Sequence, residues 1–328
     1  MSTWSISGGT ASLNESLTFA GTFTEGAGAT LTVASTDTLK LTGTASLGGV
    51  INGAGTVALS SATIGGLTVG GTDVLSVTGS VTQTGAVTIG DASKSSASLS
   101  IAKGATWTIN GAVGISHGTS TKSSIKVAGT LIKSGATGSS VINLATTDTG
   151  LIEAAVGTLD FSNKVAGTGT VKIDAGATLE ADSTMASTLT VAFNGAGATL
   201  ALKKPTGVAA TISGYAVGDT IDLLKIAATG ASINGSDQLV IVNGATTVAS
   251  LKLTGTYSGA TFTIGSDGHG GTNVTLLTAA GVPPPGSTPQ AFVAAMAGLG
   301  GASGSAATLT HAPLTPLVQS LLSPGAHF

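Results

Sequence analysis

Between Gly157 and Leu202 the chain repeats one short pattern. Leu159/Phe161, Val171/Ile173, Leu179, Leu189/Val191/Phe193 and Leu200/Leu202 alternate with small or polar residues, and Gly, Asn, Asp or Ser interrupts each run. A period of two sends successive side chains of an extended strand to opposite faces. Each run therefore offers one apolar face and one Thr/Lys/Asp face, too narrow to bury anything by itself. Stacking such runs on one another builds a continuous apolar column. The pattern predicts an all-β chain, and specifically a β-solenoid, read as a right-handed parallel β-helix.

The same unit recurs upstream, from Gly26 to Lys133, as GAGATLTVAS, GAGTVALSSATIGGLTVGG, GAVTIGD, SASLSIAKGATWTING and SSIKVAGTLIKSG. Its Gly-Ala openings return at intervals of roughly 20 to 30 residues, a period that signals a solenoid or an array. At about that length per coil the chain holds on the order of ten coils. Asn52-Gly53, Asn110-Gly111, Asn194-Gly195, Asn234-Gly235 and Asn243-Gly244 are turn dipeptides, and Asn-Gly is also a hairpin signal, so a β-sandwich array is the alternative fold. Residues 134–156 carry the weakest alternation and are expected to hold a longer loop.

Five regions follow. Residues 1–25 are read as an N-terminal cap in which Trp4, Phe19 and Phe23 cover the open end of the core, with an ordinary first coil with a frayed end as the alternative; residues 26–204 form the repetitive solenoid. Residues 205–278 form a terminal β-module with longer, more apolar strands. Residues 279–290 contain three consecutive prolines and read as a stiff linker. Residues 291–328 are a short, partly helical tail, with Phe292, Val293, Met296 and Leu299, and then Leu314, Leu317, Val318, Leu321 and Leu322, at helical spacing.

Composition excludes several classes of function. Only 8% of the 328 residues are charged, against about a quarter in an ordinary soluble domain. All twelve basic residues are Lys, the net charge is -3, and no Lys cluster exceeds the pair Lys203/Lys204. A nucleic-acid partner is therefore not expected, because neither the basic footprint nor the bidentate Arg fork is available. The absence of cysteine removes disulfides, thiolate metal sites and Cys nucleophiles together. The N-terminus, MSTWSISGGTASLNESLTF, has neither a basic segment nor a continuous apolar one, so no cleavable signal peptide is expected there. No run of eighteen apolar residues occurs, so membrane insertion is not expected either.

Acid-dense places are few: Asp174/Glu180/Asp182 and Asp219/Asp222. Glycoside hydrolysis needs two carboxylates facing each other across the bond. Parity puts Asp174 on the face of Lys172, as a solvated ladder, and sets Asp219 and Asp222 on opposite faces. His117, His269, His311 and His327 are too far apart for metal-ligand spacing, and His269 reads as a turn residue. No catalytic, metal or cofactor site is predicted, and the chain is read as a non-enzyme. Threonine pairs two residues apart, such as Thr30/Thr32, Thr106/Thr108 and Thr188/Thr190, suit exposed strand faces. A flat Thr ladder that binds ice would need a constant coil length, and the coil length drifts.

The stretches GAGATLALKKPTGVAATISGYAVGDTIDLLKI and FTIGSDGHGGTNVTL resemble a module of large secreted surface proteins of alphaproteobacteria, related to the repeats of autotransporter passengers and type I secreted adhesins. The likeness covers residues of about 157–277; residues 26–156 share only a generic Gly/Thr/Val repeat. It implies an extracellular or cell-surface location, with the uncleaved tail as the export segment. The calcium-binding nonapeptide G-G-x-G-x-D of such proteins is not repeated here, and Gly265 to Gly271 is a single degenerate copy. The expectation is a secreted structural protein or adhesin that forms a homo-oligomer or polymer through its solenoid ends or its tail. The alternative is a glycan-binding or glycan-cleaving β-helix, with a cell-surface glycan as partner, and an ice-binding protein is a third reading.

Overall fold

The computed structural model describes residues 2–92 and 94–278. The linker at 279–290 and the tail at 291–328 lie outside the described residues. Among the described residues the regular secondary structure is nearly all β, and it winds into a β-solenoid of about 11 turns. Its one helical element among the described residues is a 3-10 turn at Pro205–Gly207.

Each coil contributes three strand segments. Ala145–Asp148, Leu151–Ala154 and Thr158–Phe161 make one coil, and Val165–Gly167, Thr170–Asp174 and Thr178–Ala181 make the next. Every segment pairs in parallel with its counterpart one coil on: Leu151 opposes Thr170, which opposes Thr190, and Thr158 opposes Thr178, which opposes Thr199. The first two faces are joined in one 19-stranded sheet, because Thr38–Leu47, Thr56–Ile64 and Val74–Gln83 each run through both; the third face is a separate 13-stranded sheet.

Coil length varies while the register within each face is kept; it shifts between Leu41 and Thr44 and between Val77 and Ser80, where the first face turns into the second. On the second face Thr44 opposes Ser61, 17 residues on, and Ser80 opposes Thr106, 26 residues on. The extra residues sit at the corners. Glycine is required where the corners stack most closely: a Cβ on Gly43 would come within 2.2 Å of the Gly21 carbonyl oxygen, and one on Gly150 within 2.2 Å of that of Gly129. Asn52-Gly53, Asn110-Gly111 and Asn194-Gly195 lie in or beside solenoid corners. Asn234-Gly235 and Asn243-Gly244 instead turn antiparallel hairpins, between Gly230–Ile233, Gln238–Asn243 and Thr246–Thr254.

The predicted loop at 134–156 is not there. Thr130–Ser134, Ser139–Ile142, Ala145–Asp148 and Leu151–Ala154 follow one another with short corners. The alternation was hidden because inward positions are polar. Ser140, Thr146 and Asp148 are all buried and bonded to backbone: Ser140 Oγ donates to Gly111 O (3.0 Å), Thr146 Oγ1 donates to Leu144 O (3.1 Å), and Asp148 Oδ1 accepts from Gly150 N (2.9 Å).

The interior is a column of Leu, Ile, Val and Ala, most of them fully buried. One inward column, at the end of the second face, runs Ile6, Glu25, Leu47, Ile64, Gln83, Ile109, Lys133, Ala154. Its polar members are satisfied to different degrees. Gln83 donates to Gly85 O and Gly114 O and accepts from the indole N–H of buried Trp107 (2.9 Å). Lys133 donates to Ala136 O (2.6 Å) and Val156 O (3.1 Å), while burial pulls its pKa down. Neither oxygen of Glu25 has a hydrogen-bond partner. Burial pushes its pKa from 4.5 to about 7, against a smaller opposing effect of nearby backbone N–H groups.

Aromatic residues gather at the two ends of this aliphatic column. Trp4 packs edge-on against Phe19 (5.8 Å) and Phe23 (4.9 Å) at the first coils. At the other end Tyr215 packs against Phe193 and Phe262, and its hydroxyl donates to Val274 O (2.7 Å). There the parallel stack stops. Thr272–Thr278 pairs antiparallel to Thr220–Leu223 on the third face, and Thr246–Thr254 carries a second antiparallel set beyond Thr211–Ser213.

Two outcomes test this interior. Trp107→Ala should destabilise by about 3–5 kcal/mol in urea denaturation, and Trp107→Phe by about 1–3 kcal/mol because it leaves Gln83 Oε1 without its donor. A carboxyl with a raised folded pKa holds its proton longer in the folded chain. The contribution of Glu25 is therefore fully present below about pH 4.5 and is lost as pH rises to about 7. Glu25→Gln should melt with the wild type at pH 4 and exceed it at pH 8, by on the order of 2 kcal/mol.

Candidate functional site

Side chains on the outer surface also stack in columns, and three features result. The first is a group of carboxylates on the third face. Asp160 lies in Thr158–Phe161 and opposes Glu180 of Thr178–Ala181 on the next coil. Asp182 follows that strand directly, on the same parity as Glu180. Oxygens of Asp160, Glu180 and Asp182 come within 4.8 Å of one another. From the coil beyond, Lys203 Nζ donates to Asp182 Oδ2 (2.5 Å).

Electrostatics in this group are unbalanced. Burial, then the charge of Asp182, pushes the Asp160 pKa up to about 6, with Lys203 opposing. Burial and the charges of Asp160 and Asp182 push Glu180 to about 7. Asp160 is only 9% exposed; its Oδ1, like Asp182 Oδ1, is enclosed and has no hydrogen-bond partner. Asp160 is absent from the acids singled out by sequence density. The signal that finds it is the coil offset: 158 to 178 to 199 for threonine is matched by 160 to 180 for the acids.

The other sequence-selected acids do not join this group. Lys172 Nζ bridges Glu153 Oε1 (2.5 Å) and Asp174 Oδ1 (3.2 Å), and Asn194 Nδ2 donates to the same Asp174 oxygen (2.7 Å), a solvated ladder as parity requires. Asp219 points inward, accepting from Ala198 N (3.2 Å) and Ala216 N (3.0 Å), whereas Asp222 lies on the outward parity. His117 Nδ1 lies 2.7 Å from Gly118 O. His269 sits in the turn between Thr261–Ser266 and Thr272–Thr278, where Asp267 Oδ1 accepts from His269 N (2.7 Å) and Gly271 N (2.8 Å). His311 and His327 lie outside the described residues.

The second feature is a double column of hydroxyls on the second face. Thr3/Ser5, Thr22/Thr24, Thr44/Ser46, Ser61/Thr63, Ser80/Thr82 and Thr106/Thr108 stack in register over six successive coils. The expectation that drifting coil length would break such a ladder is corrected here. Length changes are absorbed at corners, and the columns stay aligned. Their spacing is roughly 4.8 Å between coils and about 7 Å along each strand.

The third feature is a cleft of about 530 Å³ lined by Thr184, Lys203, Lys204, Pro205, Thr206, Gly207, Ile226, Thr247 and Val248. Its cations adjoin the acidic group through Lys203.

No family model matches the chain, and no curated protein or solved structure matches it. Among the described residues no helix is long and apolar enough to cross a membrane.

Proposed function

We propose that the chain is a secreted structural protein or adhesin of a bacterial surface, which associates with copies of itself. The observation that carries this reading is the set of strands left with an open edge at the ends of the stack. At the first coils Thr3–Ile6, Gly9–Leu13 and Leu17–Phe19 each pair on one side only among the described residues. Such strands present unpaired backbone N–H and C=O groups, a template for another chain. At the other end antiparallel strands replace the parallel stack, and the outermost of them, Gly230–Ile233 and Thr261–Ser266, likewise pair on one side only among the described residues, so strand edges are open at both ends. Low surface charge removes one barrier to contact between copies.

The acidic group supports a non-enzymatic reading. Its three carboxylates crowd together from one side instead of facing each other across a gap wide enough for a glycosidic bond. Export to the cell surface rests on the resemblance of residues 157–277 to secreted modules.

Negative-stain electron microscopy of the full chain, with and without residues 279–328, tests self-association. Eleven turns at about 4.8 Å give a solenoid roughly 50 Å long. The expected result is end-joined particles or filaments one solenoid wide, with filaments lost on truncation if the tail is a second joint. Single solenoids in both samples would sink the assembly reading and favour a monomeric glycan-binding adhesin.

The double hydroxyl column favours one second reading. A flat, regularly spaced array of threonine and serine can order water in an ice-like layer. In that case micromolar protein shows thermal hysteresis and suppresses ice recrystallisation, and Thr24→Tyr with Thr63→Tyr abolishes both without lowering the melting temperature by more than a few degrees. Normal freezing by the wild type rejects this reading.

A further inference from the structure

The carboxylates of Asp160, Glu180 and Asp182 belong to two successive coils and meet on the outward parity of the third face. Two of their oxygens, Asp160 Oδ1 and Asp182 Oδ1, are enclosed without a donor. An enclosed carboxylate oxygen without a partner is costly, and three ionised carboxylates in contact repel as well. Among the described residues Lys203 is the one cation acting on Asp160 and Glu180, so the ionised group carries two negative charges in excess. That excess equals the charge of one divalent cation.

The donor set selects the cation. Every donor is a hard carboxylate oxygen, with no imidazole or thiolate nearby, which suits Ca²⁺ or Mg²⁺ over a transition metal. Calcium holds oxygens at about 2.3–2.6 Å, so two of its ligand atoms are never more than about 5 Å apart. One oxygen from each of the three side chains already meets that limit, all lying within 4.8 Å of one another. Magnesium demands near-ideal octahedral geometry at about 2.0–2.1 Å and usually keeps several waters, so a set of three side-chain carboxylates suits the more flexible coordination of calcium.

We propose that Asp160, Glu180 and Asp182 form a calcium site that clamps two neighbouring coils of the solenoid, with water completing the coordination on the solvent side. Lys203 is the internal counter-ion that calcium displaces. Its side chain is 58% exposed and free to swing away on its flexible stem. The site is distinct from the turn at Gly265 to Gly271, where Asp267 Oδ1 is engaged by two backbone N–H groups.

The test is calorimetric titration of the chelator-stripped full chain with calcium chloride at pH 7.5, with thermal melts in parallel. One calcium per chain is expected, with a dissociation constant of about 10⁻⁵ to 10⁻³ M, together with a rise in melting temperature. Asp160→Asn/Glu180→Gln should bind at least tenfold more weakly. Without calcium that variant should melt no lower than the wild type, since it removes repulsion, and this confirms that it folds. Lys203→Met should bind several-fold more tightly, because a competing cation is gone. Asp267→Asn should bind like the wild type. No binding by the wild type up to 10 mM, equal binding by the Asp160/Glu180 variant, unchanged or weaker binding by Lys203→Met, or loss of binding in Asp267→Asn would each overturn the assignment.

Discussion

The parallel hydrogen-bond register between successive coils is the constraint on which the rest of this molecule depends. Strands about 4.8 Å apart and paired residue for residue place each side chain directly over its counterpart in the coil before. A position in one coil thus becomes a column along the whole solenoid. Inward columns of Leu, Val and Ile exclude water continuously, which no single coil could do. Outward columns repeat whatever chemistry the strand carries: hydroxyls on the second face, carboxylates at Asp160 and Glu180 on the third.

Stacking so close leaves little room at the corners, and this explains where many of the fifty glycines go. Where one corner lies on the carbonyl of the next, as at Gly43 and Gly150, a Cβ has no space. Elsewhere the corners take up insertions, so offsets of 17 and of 26 residues between coils coexist with an aligned second face, and the register shifts where the first face turns into the second. The ends pose the opposite problem, since a stack of parallel strands has no natural stop. Aromatic side chains cover the last aliphatic layers, with Trp4, Phe19 and Phe23 at one end and Phe193, Tyr215 and Phe262 at the other. At the second end a change to antiparallel pairing also ends the repeat.

Much of the fold was legible because its signal is local. Alternation at Val171/Ile173 or Leu200/Leu202, punctuated by Gly and Asn, identifies strands and their buried faces without knowledge of any partner. Legibility failed where inward positions are polar. Ser140, Thr146 and Asp148 break the apolar period yet are buried, each bonded to backbone, so residues 134–156 lack the alternation that marks a strand. The Asn-Gly pairs were ambiguous for a related reason: the same dipeptide serves a corner at Asn110-Gly111 and a hairpin at Asn243-Gly244, and only the direction of the following strand separates them.

The sequence by itself determined the period, the strand faces, the solenoid class and the paucity of charge, since all of these are properties of neighbours along the chain. Only the tertiary structure decided which residues stand over one another. That choice depends on how many residues each corner absorbs, and corner lengths cannot be read from alternation. For this reason the alignment of hydroxyls from Thr3 to Thr108, and the meeting of Asp160 with Glu180, Asp182 and Lys203, became visible only when the coils were stacked.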